Sequence, residues 1–94
     1  MKYVLSENAK EDLYRIYVYG VATFGQELSE DYFWKMHKAF GRISEDPFRF
    51  PLVNHIRTGY RRYVFRSDTI YFRIAESMVE IMAIIGSQDV DEWL

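Results

Sequence analysis

Residues 59–85, GYRRYVFRSDTIYFRIAESMVEIMAII, constrain this chain more than any other stretch. They hold three short runs rich in Tyr, Phe, Val and Ile, divided by small polar breaks at Arg66-Ser67-Asp68 and Glu76-Ser77. Runs of that composition between tight breaks read as consecutive strands of a β-meander. In the middle run Ile70, Phe72 and Ile74 alternate with Thr69, Tyr71 and Arg73. A period of two puts one apolar face on a core and a more polar face outward. The last run, from Met78, has Val79, Ile81, Ala83 and Ile85 on one face and Met82 and Ile84 on the other. A strand apolar on both faces belongs inside a sheet, with residues 3–5 or the middle run beside it.

What precedes the meander supplies its cover. Residues 2–5 form a short apolar run that reads as a strand joining the same sheet. Ser6 is a helix N-cap, with Glu7 in the first turn where the helix dipole favours an acid. Ala9, Leu13, Ile16, Tyr17, Gly20 and Phe24 then follow helical spacing, and Gly25 is a natural stop, which gives a helix over about residues 7–24. A second helix starts near Gln26, carries Leu28, Tyr32, Met36, Ala39, Phe40 and Ile43 on one face, and ends near Glu45 before Asp46-Pro47. So short a link makes the two an antiparallel hairpin. Residues 47–58, with two prolines and no period, read as a loop over the surface. The expected fold is α+β, in the order β-α-α-β-β-β: one domain over residues 1–94, its helical hairpin packed on a mostly antiparallel sheet.

Composition closes off several functions. With no cysteine there is neither disulfide nor thiolate zinc site. No HExxH, EF-hand loop, glycine-rich phosphate loop or GxSxG elbow occurs, so no metal and no cofactor is expected. The start, MKYVLSENAKEDL, lacks the apolar core of a signal peptide, and no run approaches the roughly 18 apolar residues of a membrane span. A soluble cytoplasmic protein without membrane attachment is expected. Of the two histidines, His37 lies among charged neighbours on the second helix and His55 in the loop.

Charge is uneven. The net value is −2, yet residues 49–73 hold six arginines (49, 57, 61, 62, 66 and 73), a single acid, Asp68, and no lysine. Arginine interleaved with Tyr and Phe suits bidentate contact with carboxylate or phosphate. The structural alternative is pairing with the eight acids of residues 1–46. In a strand Arg61 points away from Arg62, Arg62 and Arg66 share a face, and Arg73 lies opposite the Ile70/Phe72/Ile74 core.

Several motifs together resemble the RelE/ParE superfamily of bacterial type II toxins, the ParE branch most. They are Y-x-L-S-x-x-A-x-x-D-L-x-x-I over residues 3–16, FG at Phe24-Gly25, R-x-G-Y-R-R over residues 57–62, I-Y-F-R over residues 70–73 and V-E-I over residues 79–81. The likeness spans nearly the whole chain, and the α+β fold it implies agrees with the pattern above. It implies a toxin that inhibits DNA gyrase, trapping it on cleaved DNA, and a cognate antitoxin that wraps the toxin in a hetero-oligomer. ParD-like antitoxins of this kind often carry a DNA-binding half that represses the shared operon. RelE-like members instead cleave mRNA on the ribosome. Many relatives place an Arg near the end of the last strand and a His just after it, where this chain has Ala83 and Gly86.

That departure leaves no catalytic residue to name under the gyrase reading. The expected target surface is then Arg61, Arg62 and Arg73 on the sheet together with Trp93 in the tail. Tyr14, Tyr17, Phe33 and Trp34 are the candidate antitoxin contacts, on helical spacing. An endoribonuclease would instead use Arg61, Arg62 and Arg73 with His55 or Tyr71 for phosphate and proton. A third possibility is a toxin that has lost its activity and keeps only antitoxin binding.

Overall fold

A computed structural model describes residues 1–86 and residue 94. In order the elements are β1 (Lys2–Leu5), α1 (Glu7–Phe24), α2 (Gln26–Glu45), a 3-10 turn (Pro47–Arg49), β2 (Arg61–Phe65), β3 (Asp68–Ala75) and β4 (Met78–Ile85). The strands form one sheet in the order β1-β4-β3-β2. β1 runs parallel to β4, and the other two pairings are antiparallel. The α+β order expected from sequence is the one observed, and β4 lies inside the sheet with both proposed neighbours.

Local chemistry sets the element ends. The Ala9 N–H donates to Ser6 Oγ at 3.0 Å, capping α1, while the Ser6 N–H continues the sheet by donating to Ile81 O at 2.9 Å. Gly25 alone separates the helices, at φ 95°, a backbone conformation that glycine adopts without steric cost. This one residue ends α1 and starts α2, so the hairpin is as tight as the sequence implied.

Beneath the hairpin lies the main core. Ala9, Leu13, Met36, Ala39, Phe40 and Ile43 of the helices meet Ile70, Phe72, Val79, Ile81 and Ile84 of the sheet. Two features of the sheet depart from simple alternation. First, Tyr71 is only 3% exposed rather than outward-facing. The opposite face of the sheet is covered by loop 51–60, which seats Val53, Ile56 and Tyr60, with Leu94, on Tyr71, Ala83 and Ile85. The loop is held by its own bonds: Val53 N–H to Tyr60 O at 2.7 Å, Ile56 N–H to Val53 O at 2.8 Å and Gly59 N–H to Asn54 Oδ1 at 2.7 Å.

Second, β4 contains a bulge. Phe72 pairs with Ile81 but Tyr71 pairs with Ala83, so Met82 is the extra residue. The bulge shifts the phase of the strand: Ile84, not Ala83 or Ile85, continues the helix-side face of Val79 and Ile81. β1 pairs no further than Ile81, and the backbone beyond it is met by side chains from the start of α1. Ser6 Oγ donates to Met82 O at 3.0 Å, the Ile84 N–H donates to Asp12 Oδ2 at 2.9 Å, and Arg15 Nη2 donates to Ile84 O at 3.3 Å. These bonds satisfy the backbone groups that a short edge strand leaves bare.

Candidate functional site

The apolar stripes of the two helices run on past the sheet. Phe24 and Leu28 fit the core spacing, yet they are 64% and 62% exposed, because the buried residues of α1 end at Gly20 and, among the described residues, no strand lies beneath the hairpin tip. With Ile16, Tyr19 and Tyr32 they line an open groove of about 670 Å³, whose other lining includes Arg66, Ser67 and Asp68 of the β2–β3 turn. Helix side chains and turn side chains thus face one another across it. No single segment of sequence announces this groove, because three separated elements build it.

Charged groups on the groove are mostly committed. The Tyr32 hydroxyl donates to Asp68 Oδ2 at 2.6 Å, and partial burial, then that carboxylate, push Tyr32 up to about 12. Asp31 receives Lys35 Nζ at 2.8 Å, and this bond holds its carboxyl below the usual range. Arg15 reaches Asp12 Oδ1 at 3.4 Å as well as Ile84 O. Arg66 differs. Its guanidinium lies 5.9 Å from the Tyr32 ring centre and 5.6 Å from that of Phe65, and its N–H groups meet no acceptor among the described residues. It therefore stacks toward the helices rather than sharing a strand face with Arg62. Its backbone is at φ 56° while Ser67 is not in that region, the two-residue hairpin turn whose first position glycine ordinarily fills. A side chain held there costs on the order of 1 kcal/mol.

The other flank of the hairpin is aromatic. Tyr17 packs edge-on to Phe33 at 5.9 Å, Phe33 meets His37 at 4.7 Å, His37 meets Phe40 at 5.3 Å and Phe40 meets Tyr3 at 5.7 Å. This row connects α1 to β1 through α2. Burial among the rings pushes the His37 imidazolium to a lower pKa. Tyr14 and Trp34 are the exposed members of the flank, while Tyr17 and Phe33 are half-buried in the hairpin seam.

The arginines of the sheet do not form one patch. Arg61 pairs in register with Phe72, so it lies on the helix side, where its Nη1 donates to Phe50 O at 2.6 Å and Phe48 O at 3.2 Å. It clamps the 3-10 turn to the edge strand. Arg62 pairs with Tyr71 and so shares the opposite face with Arg73. Arg73 Nε holds Glu80 Oε1 at 3.1 Å on the neighbouring strand, and this bond raises its pKa. The cations thus take carbonyls, rings and a sheet glutamate, not the acids of the helices. Arg62 is exposed beside Val64, and its guanidinium has no partner among the described residues. Trp93 lies outside the described residues.

Groups able to move a proton are placed unfavourably. His55 is exposed and has no orienting hydrogen bond among the described residues. Tyr71 is sealed beneath the loop. Among the described residues no cluster of three His, Asp or Glu could hold a metal ion, and no helix is long and apolar enough to cross a membrane.

A helical hairpin packed on one face of a small mixed sheet, with an open groove at its tip, is the architecture on which the comparisons with known proteins bear. Residues 3–90 match the family model of the ParE toxin of the type II toxin–antitoxin system parDE, and the chain belongs to that family. Among curated proteins it is similar to Toxin ParE1 of Caulobacter vibrioides, 31% identical over 83 residues that cover 88% of this chain and 85% of that one. Its fold is that of a chain from the chromosomal ParDE toxin–antitoxin system of P. aeruginosa. The two superpose with a TM-score of 0.83 at 17% identity, covering 94% of this chain and 97% of the other.

Proposed function

We propose that this chain is a cytoplasmic toxin that inhibits DNA gyrase by binding it, and that a cognate ParD-like antitoxin neutralises it in a hetero-oligomer. The observation that carries the binding reading is the state of the sheet arginines. Arg62 stands outward with no partner among the described residues, beside exposed Val64, and Arg73 lies on the same face. Neither His55 nor Tyr71 is arranged to take or give a proton beside them, as strand scission would require. Arg62 and Arg73, with Trp93 of the tail, form the target surface in this proposal. Arg61 contributes by fixing the edge strand through the 3-10 turn.

The antitoxin is assigned to the hairpin. One segment fills the groove at the hairpin tip and covers Phe24 and Leu28, and its continuation crosses the aromatic flank over Tyr14, Tyr17, Phe33 and Trp34. Both surfaces expose large apolar side chains that a partner would bury.

The deciding experiment is a supercoiling and DNA-cleavage assay with purified gyrase. Accumulation of cleaved, gyrase-linked DNA with the wild-type chain, and about a tenfold weaker effect with Arg62→Ala, is the expected result. Unaltered supercoiling by folded protein would remove gyrase as the target, and mRNA cleavage in a translation extract would replace it with the ribosome.

A further inference from the structure

Among the described residues Arg66 is the charged group of the hairpin-tip groove with no hydrogen-bond or ion-pair partner, and it sits where the backbone disfavours a side chain. Asp31 is taken by Lys35, Asp68 by Tyr32, and Arg15 by Asp12 and Ile84 O. Among the described residues Arg66 has no hydrogen-bond or ion-pair partner, and its guanidinium lies 5.9 Å from the Tyr32 ring centre and 5.6 Å from that of Phe65. A guanidinium with open donors binds a carboxylate bidentately, and contact with two rings narrows the side-chain freedom it has to lose. The groove is lined by side chains of α1, α2 and the β2–β3 turn, with Gly86 after β4 also in the lining, and no open strand edge runs along it among the described residues. An occupant buried there must satisfy its own backbone, which a helix does and an extended segment does not.

We propose that Arg66 is the selector of this groove: it receives an Asp or Glu on an amphipathic helix of the partner, whose apolar face packs on Ile16, Phe24 and Leu28. The proposal rests on the assignment of the antitoxin to this groove. Because Arg66 occupies a turn position that suits glycine, its replacement by glycine relieves the backbone, so loss of recognition and loss of folding move apart.

The test is a displayed library of helical peptides of about 20 residues, selected in parallel against the wild-type chain and against Arg66→Gly. Selection on wild type should fix an acid at one position, three or four residues from an apolar anchor. Selection on Arg66→Gly should not fix it. The winning wild-type peptide should bind Arg66→Gly and Arg66→Gln at least about tenfold more weakly. The melting temperature of Arg66→Gly should be no lower than that of wild type. Equal affinity for the variants, or no acid enriched, would overturn the role of Arg66 while leaving the groove as a helix seat. A lowered melting temperature that accounts for the lost binding would reduce Arg66 to a structural stack. Failure to select any helix that protects Phe24 and Leu28 would sink the assignment of the groove itself.

Discussion

Under the helices the sheet buries Ile70, Phe72, Val79, Ile81 and Ile84, whereas under loop 51–60 it buries Tyr71, Ala83 and Ile85 against Val53 and the partly buried Ile56, Tyr60 and Leu94. Both faces belong to the same strands, yet they do different work. The helix side is a thick layer in which periodic side chains from two helices interlock with the sheet. The loop side is a thin seal, held by backbone bonds of the loop to itself and by a few apolar side chains. A thick layer fixes the strand register, while a thin one leaves the margin of its face open. The exposed pair Arg62 and Val64 lies on that margin, on the edge strand. The contrast places the interlocked packing on one side of β3 and β4 and the open margin, where the proposed target surface lies, on the other.

The largest expected effect lies on the thick side. Phe72 is fully buried beneath Phe50 and the helices, so Phe72→Ala should cost about 3–5 kcal/mol in urea unfolding. Val53 is the most buried residue of the seal, and Val53→Ala should cost about 2 kcal/mol, the worth of its lost methyl groups. The contrast between the faces breaks if the two variants lose equal stability. It sharpens if Val53→Ala also speeds hydrogen exchange in loop 51–60 while α1 and α2 stay protected.

A smaller effect tests how closely the helical layer is packed. A Cβ on Gly20 would collide with Ser29 Oγ and lie 3.1 Å from Ser29 Cβ, and Ser29 Oγ already donates to Tyr17 O at 2.8 Å. Alanine normally gains on glycine within a helix by about 1 kcal/mol. Here overpacking should reverse the sign, and Gly20→Ala should lose about 1–2 kcal/mol net. The double variant Gly20→Ala with Ser29→Gly should recover part of the loss in thermal melts. Recovery failing to appear would mean that the helices can separate at this crossing at no cost.

The sequence was most informative where structure is local and periodic. Ser6, Gly25 and the Asp46-Pro47 pair mark the helix ends, and α1 and α2 begin and end where those residues place them. It was least informative about the second face. Loop 51–60 has no period, so nothing in its residues says that it folds back over Tyr71. The Met82 bulge inserts a phase shift that strict alternation cannot express, and it misplaces Ala83 and Ile85 relative to Val79. Phe24 and Leu28 show the same limit on the site. Helical spacing gives their direction but not whether a strand lies beneath them, so two groove residues look like core. The arginines were legible as a group, but their partners were not, because Arg61 and Arg73 take a carbonyl pair and a glutamate brought close only by the sheet.

The smallest expected effect concerns the seam between the helical layer and the margin of the sheet, where Tyr32 donates to Asp68. Burial and the adjacent carboxylate disfavour the phenolate, which puts the folded-state value at about 12, above the ordinary value of roughly 10. Between those values the folded chain keeps a proton that the unfolded chain has lost. Stability from this group is therefore fully present below about pH 10 and falls as pH rises toward 12. Tyr32→Phe removes the donor and should cost about 1 kcal/mol at pH 8, where water can still reach the half-exposed carboxylate. The gap between wild type and Tyr32→Phe in urea unfolding should then narrow between pH 10 and 12, since only the wild type has this proton to lose. A gap that stays constant over that range would place the hydroxyl in open water and detach α2 from the β2–β3 turn. The groove would then lose the wall on which Arg66 stacks.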